Sequence, residues 1–120
     1  MASPDELASF IASSFRSVWA LELLLLLKQQ ARACSADELV ELMRASPSVV
    51  ERALGTLTAA GLAGSDAHGA TYMPVSAEVA KLVEETEQLY RSKPNRVRRL
   101  IVASGNSGLA AFSDAFRLKD

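Results

Sequence analysis

The sequence predicts a mainly α-helical domain with one short β-hairpin, and three observations carry that expectation. Helix formers, led by Leu and Ala, outnumber β-branched residues. Apolar residues recur at helical spacing behind serines placed as caps, at Ser3, Ser35, Ser46 and Ser76. Between Leu62 and Val75 that periodicity stops, and two short extended arms flank an Asp66-Ala67-His68-Gly69 turn. The chain has 120 residues, of which 49% are hydrophobic. That suits one domain with one core and is too apolar for a disordered chain.

Ser3-Pro4-Asp5-Glu6 is a capping box with proline at the first helical position. Leu7, Phe10 and Ile11 follow at i, i+3 and i+4. With no Gly or Pro to stop it, this helix either runs to about Gln30 or breaks at Ser13-Ser14, leaving Phe15 to Gln30 as a second helix. Val18 to Leu27 is apolar nearly all round, which predicts a helix buried on most faces, with Trp19 in the core or, alternatively, in a dimer interface or ligand pocket. The run is about half the length needed to span a bilayer, and Glu22 interrupts it, so no membrane association is expected.

A second capping box, Ser35-Ala36-Asp37-Glu38, opens a short helix whose inward face is Leu39, Val40, Leu42 and Met43. Ser46-Pro47 starts the next, with Val50, Leu54 and Leu57 inward, Val49 and Ala53 beside them, and Gly61 as the stop. The hairpin follows, short because β-branched residues are few. Ser76 then caps a long helix striped by Val79, Leu82, Val83, Thr86, Leu89 and Tyr90, with Lys81–Glu85 and Glu87–Arg91 pairs on its wet side. Pro94 breaks or restarts it, and Val97, Leu100 and Ile101 form the next stripe. Gly105-Asn106-Ser107-Gly108 reads as a turn before a last short helix carrying Leu109, Phe112 and Phe116. The whole chain, 1–120, is expected to be one domain: N-terminal helices over 1–30, a central unit over 35–75 and C-terminal helices over 76–118.

Several chemistries find no residues to perform them. Cys34 is the only cysteine and is expected to be a small, partly buried apolar residue, so there is neither an internal disulfide nor a cysteine zinc site. His68 is the only histidine and sits in the hairpin turn, without other metal ligands nearby in sequence. Glu84, Glu85 and Glu87 lie on the polar side of a stripe and read as a solvated face. Residues 105–108 lack the Gly-Lys-Ser/Thr ending of a phosphate loop, and the serines have no histidine in triad context. No enzyme, cofactor or metal is expected. The single cysteine, and an N-terminus without a basic signal-peptide region, point to the cytoplasm.

The order helix, helix, short helix, turn, helix, hairpin spans residues 15–75. Its signature residues are Ser35-Ala36-Asp37-Glu38-Leu39, Ser46-Pro47-Ser48-Val49-Val50, Leu54-Gly55-Thr56-Leu57 and Gly61-Leu62. In this it resembles the winged helix-turn-helix transcriptional regulators, with the MarR and ArsR families nearest in layout. The resemblance implies a homodimer joined through its terminal helices and bound to double-stranded DNA. It implies that the helix after Ser46 enters the major groove. Arg52 would then read a base or phosphate, Ser46, Ser48 and Thr56 would lie beside it, and His68 would stand at the wing tip. The metal sensing of ArsR-type relatives has no ligand set here.

The charge pattern is unusual for that role. Net charge is -1. Residues 35–60 hold Asp37, Glu38, Glu41 and Glu51 against Arg44 and Arg52, and the hairpin has no Lys or Arg. Arg91, Lys93, Arg96, Arg98 and Arg99 cluster without an intervening acid. They form either a solvated helix junction or a patch for phosphate or an acidic partner, and Arg96, Arg98 and Arg99 are its candidate contacts. Two functions follow: a DNA-binding transcriptional regulator, or a protein-interaction adaptor that uses the same scaffold without reading DNA. The apolar surplus of Leu7, Phe10, Ile11, Leu109, Phe112 and Phe116 argues for a homodimer.

Overall fold

A computed structural model describes residues 2–105. The helix starts are set by local chemistry. In α1 (Pro4–Ser14) the Glu6 amide donates to Ser3 Oγ at 3.1 Å. The chain then turns instead of continuing. Phe15 is extended and fully buried, its ring edge-on to Phe10 with centroids 6.1 Å apart. Ser17 caps α2 (Val18–Gln30) by accepting the Ala20 amide at 3.2 Å. The two helices meet at 101°. Of the two sequence expectations the break is therefore the one realised, three residues before the cap at Ser17.

Ser35 caps α3 (Ala36–Met43), and Ser46 caps α4 (Pro47–Ala59) by accepting the Val49 amide at 3.3 Å. Between them the chain reverses through Arg44, which sits in the left-handed region at φ 53°. The Arg44 amide donates to Glu41 O and the Ala45 amide to Val40 O, which closes a Schellman turn without glycine. The end of α4 uses the same motif with Gly61 at φ 75°: Leu62 donates to Leu57 O and Gly61 to Thr58 O.

The hairpin pairs β1 (Ala63–Asp66) with β2 (Gly69–Tyr72) antiparallel, in register from Ala63 opposite Tyr72 to Asp66 opposite Gly69. Asp66 Oδ1 accepts the His68 amide at 2.7 Å and so shapes the turn. A third segment joins from before α3. Cys34 exchanges two backbone hydrogen bonds with Ala70, both 2.8 Å, and stitches the wing to the loop that opens α3. Then come α5 (Ala77–Ser92), capped by Ser76, and α6 (Pro94–Gly105). The result is mainly helical with the layout of a winged helix-turn-helix, extended by helices on both sides. The expected last helix, with Leu109, Phe112 and Phe116, lies outside the described residues.

α2 is the centre of the core. Ala20, Leu21, Leu23, Leu24 and Leu27 are buried, and the helix packs against α4, β2 and α6. Its apolar run extends beyond the faces that find partners. Trp19 is therefore 44% exposed, not a core residue, and it shares the outward strip with Glu22 and Leu26. Leu42, expected to face inward from α3, is 48% exposed, whereas Leu39 is fully buried. α1 packs on α5 and α6, so Leu7, Phe10 and Ile11 are covered within the chain and no longer argue for a dimer. Thr86 is buried, and its hydroxyl donates to Leu82 O at 2.8 Å. Glu87 binds Arg91, as expected, and also Lys28 of α2 at 2.9 Å. Glu85 accepts the Ala2 amide instead of pairing with Lys81. Among the described residues no single helix is long and apolar enough to cross a membrane.

Candidate nucleic-acid interface

The inward face of α4 is set by Val50, Ala53 and Leu57, all buried against α2 and α3. The opposite face carries Ser48, Glu51, Arg52, Gly55 and Ala59, all exposed. Gly55 lies at the middle of that face and has open space where a Cβ would stand. Arg52 and Glu51 are neighbours of opposite sign, and neither enters an ion pair among the described residues. Ser46 Oγ is held by its cap and lies 3.2 Å from Ser48 Oγ, so Ser48 is the more available hydroxyl. Thr56 is half-buried at the edge of the face, a weaker contact position than the sequence pattern implies.

The turn before α4 adds a residue that the sequence reading left out of the site. Arg44 is exposed and unpaired among the described residues, two positions before the Ser46 cap. Its left-handed conformation has no signature in an arginine, which is why periodicity overlooks it. The local acid excess is also smaller than the count of charges suggests. Arg32 forms a two-nitrogen ion pair with Glu38, and this contact holds the Glu38 carboxyl below its ordinary value. Asp37, Glu41 and Glu51 remain against Arg44 and Arg52. At the wing, His68 is exposed at the tip, next to Asp66.

The arginines of α6 divide between two sides of the helix. Arg96 lines a groove with Pro4, Leu7, Glu85 and Gln88, on the side of α1 and α5. Arg98 turns the other way and lies 5.6 Å from the Tyr90 ring centroid, with Asn95 Oδ1 and Tyr90 OH as acceptors. Arg98 and Arg99 together border a shallow groove with Asn95 and Val102. A helix turns about 100° per residue, so positions two apart in sequence are splayed round the axis. Arg91 is engaged by Glu87.

Other chemistry is sparse. Burial pushes the Cys34 thiol up, which keeps it protonated and poorly nucleophilic. Among the described residues no three His, Cys, Asp or Glu side chains gather as a metal site. No family model matches the chain, and neither a curated protein nor a solved structure matches it significantly.

Proposed function

We propose that this chain is a winged-helix DNA-binding transcriptional regulator of the MarR/ArsR type, acting as a homodimer in the cytoplasm. The observation that carries the reading is the outward face of α4. Ser48, Glu51, Arg52, Gly55 and Ala59 on it are exposed, α4 packs against β1 of the wing, and Arg44 and Arg52 enter no ion pair among the described residues. A helix so placed can enter a major groove, with Arg52 and Ser48 toward base edges and Arg44 toward a phosphate. The small centre of the face at Gly55 permits close approach. Two copies would present two such helices to paired half-sites.

The test is a duplex-binding titration across salt. Each lost phosphate contact should lower the salt slope by about 0.9, so Arg44→Ala should flatten it by roughly one unit. Arg52→Ala should cost about 1–3 kcal/mol and relax sequence preference. Arg96→Ala and Arg98→Ala point to different sides of α6, so they should not act as one patch. Sedimentation at micromolar concentration checks the dimer. Absence of duplex binding at low salt would refute the reading.

A second reading is a protein-interaction adaptor. The residual acid excess on the helix-turn-helix unit, at Asp37, Glu41 and Glu51, favours it, since phosphate contacts need cations. Under it, Arg52→Ala leaves every duplex titration flat.

A further inference from the structure

Glu51 is an exposed acid on the outward face of α4, and the helix itself has no use for it. It lies past the first turn, so the positive end of the helix dipole does not call for a carboxylate there. The positions one turn away are Pro47, Ser48, Leu54 and Gly55, none of them a cation. Among the described residues Glu51 enters no ion pair and no side-chain hydrogen bond. A carboxylate so placed also repels phosphate, so it weakens contact with any duplex unless a base donates to it.

Helical geometry sets it apart from Arg52. At about 100° per residue, Ser48, Gly55 and Ala59 follow one line along the middle of the exposed face, within about 40° of one another. Arg52 and Glu51 stand about 100° apart, one on each side of that line. Along the axis they differ by about 1.5 Å, less than half the spacing of about 3.4 Å between stacked base pairs. With the axis along a major groove, the two side chains reach toward opposite strands at the level of one base pair. G·C is the pair that sets two acceptors, guanine O6 and N7, on one side of the groove and a donor, cytosine N4, on the other. A guanidinium matches the first and a carboxylate the second. Gly55, with open space where a Cβ would stand, lets the backbone come close enough for the shorter Glu51 side chain to arrive.

We infer that Glu51 and Arg52 together read one G·C pair in each half-site, Glu51 accepting from cytosine N4 and Arg52 donating to guanine O6 and N7. This rests on the DNA-binding reading above. The experiment is a selection followed by base replacement. Short duplexes with a randomised core are bound to the full-length protein at low salt, and the retained fraction is sequenced. One G·C pair should be fixed in each enriched half-site. In the enriched duplex that cytosine is then replaced by N4-methylcytosine, which still pairs with guanine but turns a methyl group into the major groove. Separately, the guanine is replaced by 7-deazaguanine, which lacks N7. Each replacement should weaken binding by the unaltered protein about tenfold. Glu51→Ala, a change that an exposed helix position tolerates, should be indifferent to N4-methylcytosine and keep its response to 7-deazaguanine. Arg52→Ala should show the reverse. Glu51→Ala should also bind the unselected pool more tightly and the selected duplex more weakly, whereas an acid without a base partner would weaken neither. Tighter binding of both duplex sets by Glu51→Ala overturns the inference. So does a cytosine replacement that affects Glu51→Ala and the unaltered protein equally, or a selection that fixes no G·C pair. Failure to bind any duplex at low salt refutes the DNA-binding reading itself, and the inference with it.

Discussion

Gly69→Ala tests the link between the wing and the helix-turn-helix unit. Gly69 sits at φ 128°, outside the regions that L-residues adopt, and a Cβ there would stand 2.2 Å from Cys34 O and 2.5 Å from Cys34 C. Both obstacles are backbone atoms, so no rotamer change relieves the clash. The Cys34 loop would have to retreat by roughly 1 Å or more to reach ordinary contact distance. The paired hydrogen bonds between Cys34 and Ala70, each 2.8 Å, would then stretch beyond bonding range. Each lost bond costs about 0.5–1.5 kcal/mol, and more where the freed groups stay buried, as they do at Cys34 and Ala70. The strained backbone adds about 1–3 kcal/mol. We expect a total loss of about 3–5 kcal/mol, a large part of the stability of a typical domain. Urea unfolding followed by far-UV circular dichroism measures it. Gly55→Ala is the control: it is helical and exposed, with nothing near a new Cβ, and should stabilise by about 1 kcal/mol. A Gly69→Ala loss below about 1 kcal/mol, the centre of ordinary point-mutation effects, would refute the reasoning.

Other outcomes follow from single residues. Ala31 ends α2 in the left-handed region at φ 55°, so Ala31→Gly should relieve strain and stabilise by about 0.5–1 kcal/mol, read as a rise in Tm. No rise would show that the unfolded-chain entropy of glycine offsets the relief. The Cys34 thiol is raised by burial, so its contribution is complete below the ordinary thiol value of about 8.5 and declines as pH rises toward the folded value. Cys34→Ala should therefore flatten the first part of the alkaline loss of stability, seen in urea midpoints against pH. Tyr72, Tyr90 and Lys28 are also raised and act at higher pH. Parallel midpoint curves for the two proteins would contradict this assignment.

What could be read from the sequence was mostly what short-range chemistry decides. The caps at Ser3, Ser35, Ser46 and Ser76 bond amides three residues on, so the spacing alone reveals them. Gly61 announces its turn because glycine is the usual left-handed residue, whereas Ala31 and Arg44 take the same conformation without a sign. Ser17 was hidden in front of a run so apolar that it looked continuous with what preceded it. Trp19 and Leu42 look inward-facing in the sequence because periodicity identifies an apolar face but not whether a partner covers it. The Cys34–Ala70 pairing joins residues far apart in the chain, with nothing local to mark it. The candidate site was legible at Ser48 and Arg52. It was less so at Arg96 and Arg98, which are two positions apart and so fall on opposite sides of the helix, while Arg98 and Arg99 border one groove.

The pairing of Cys34 with Ala70 has a mechanical consequence. The bridge leads directly through Ser35 into α3, and α3 is joined to α4 by three residues, Arg44, Ala45 and Ser46. Leu62, at the start of the hairpin, is in turn bonded back to Leu57 of α4. The wing thus hangs from both ends of the helix-turn-helix unit and cannot swing about one hinge. Helix and wing behave as two prongs of a fork with a fixed gap, and any surface that accepts both must conform to that gap.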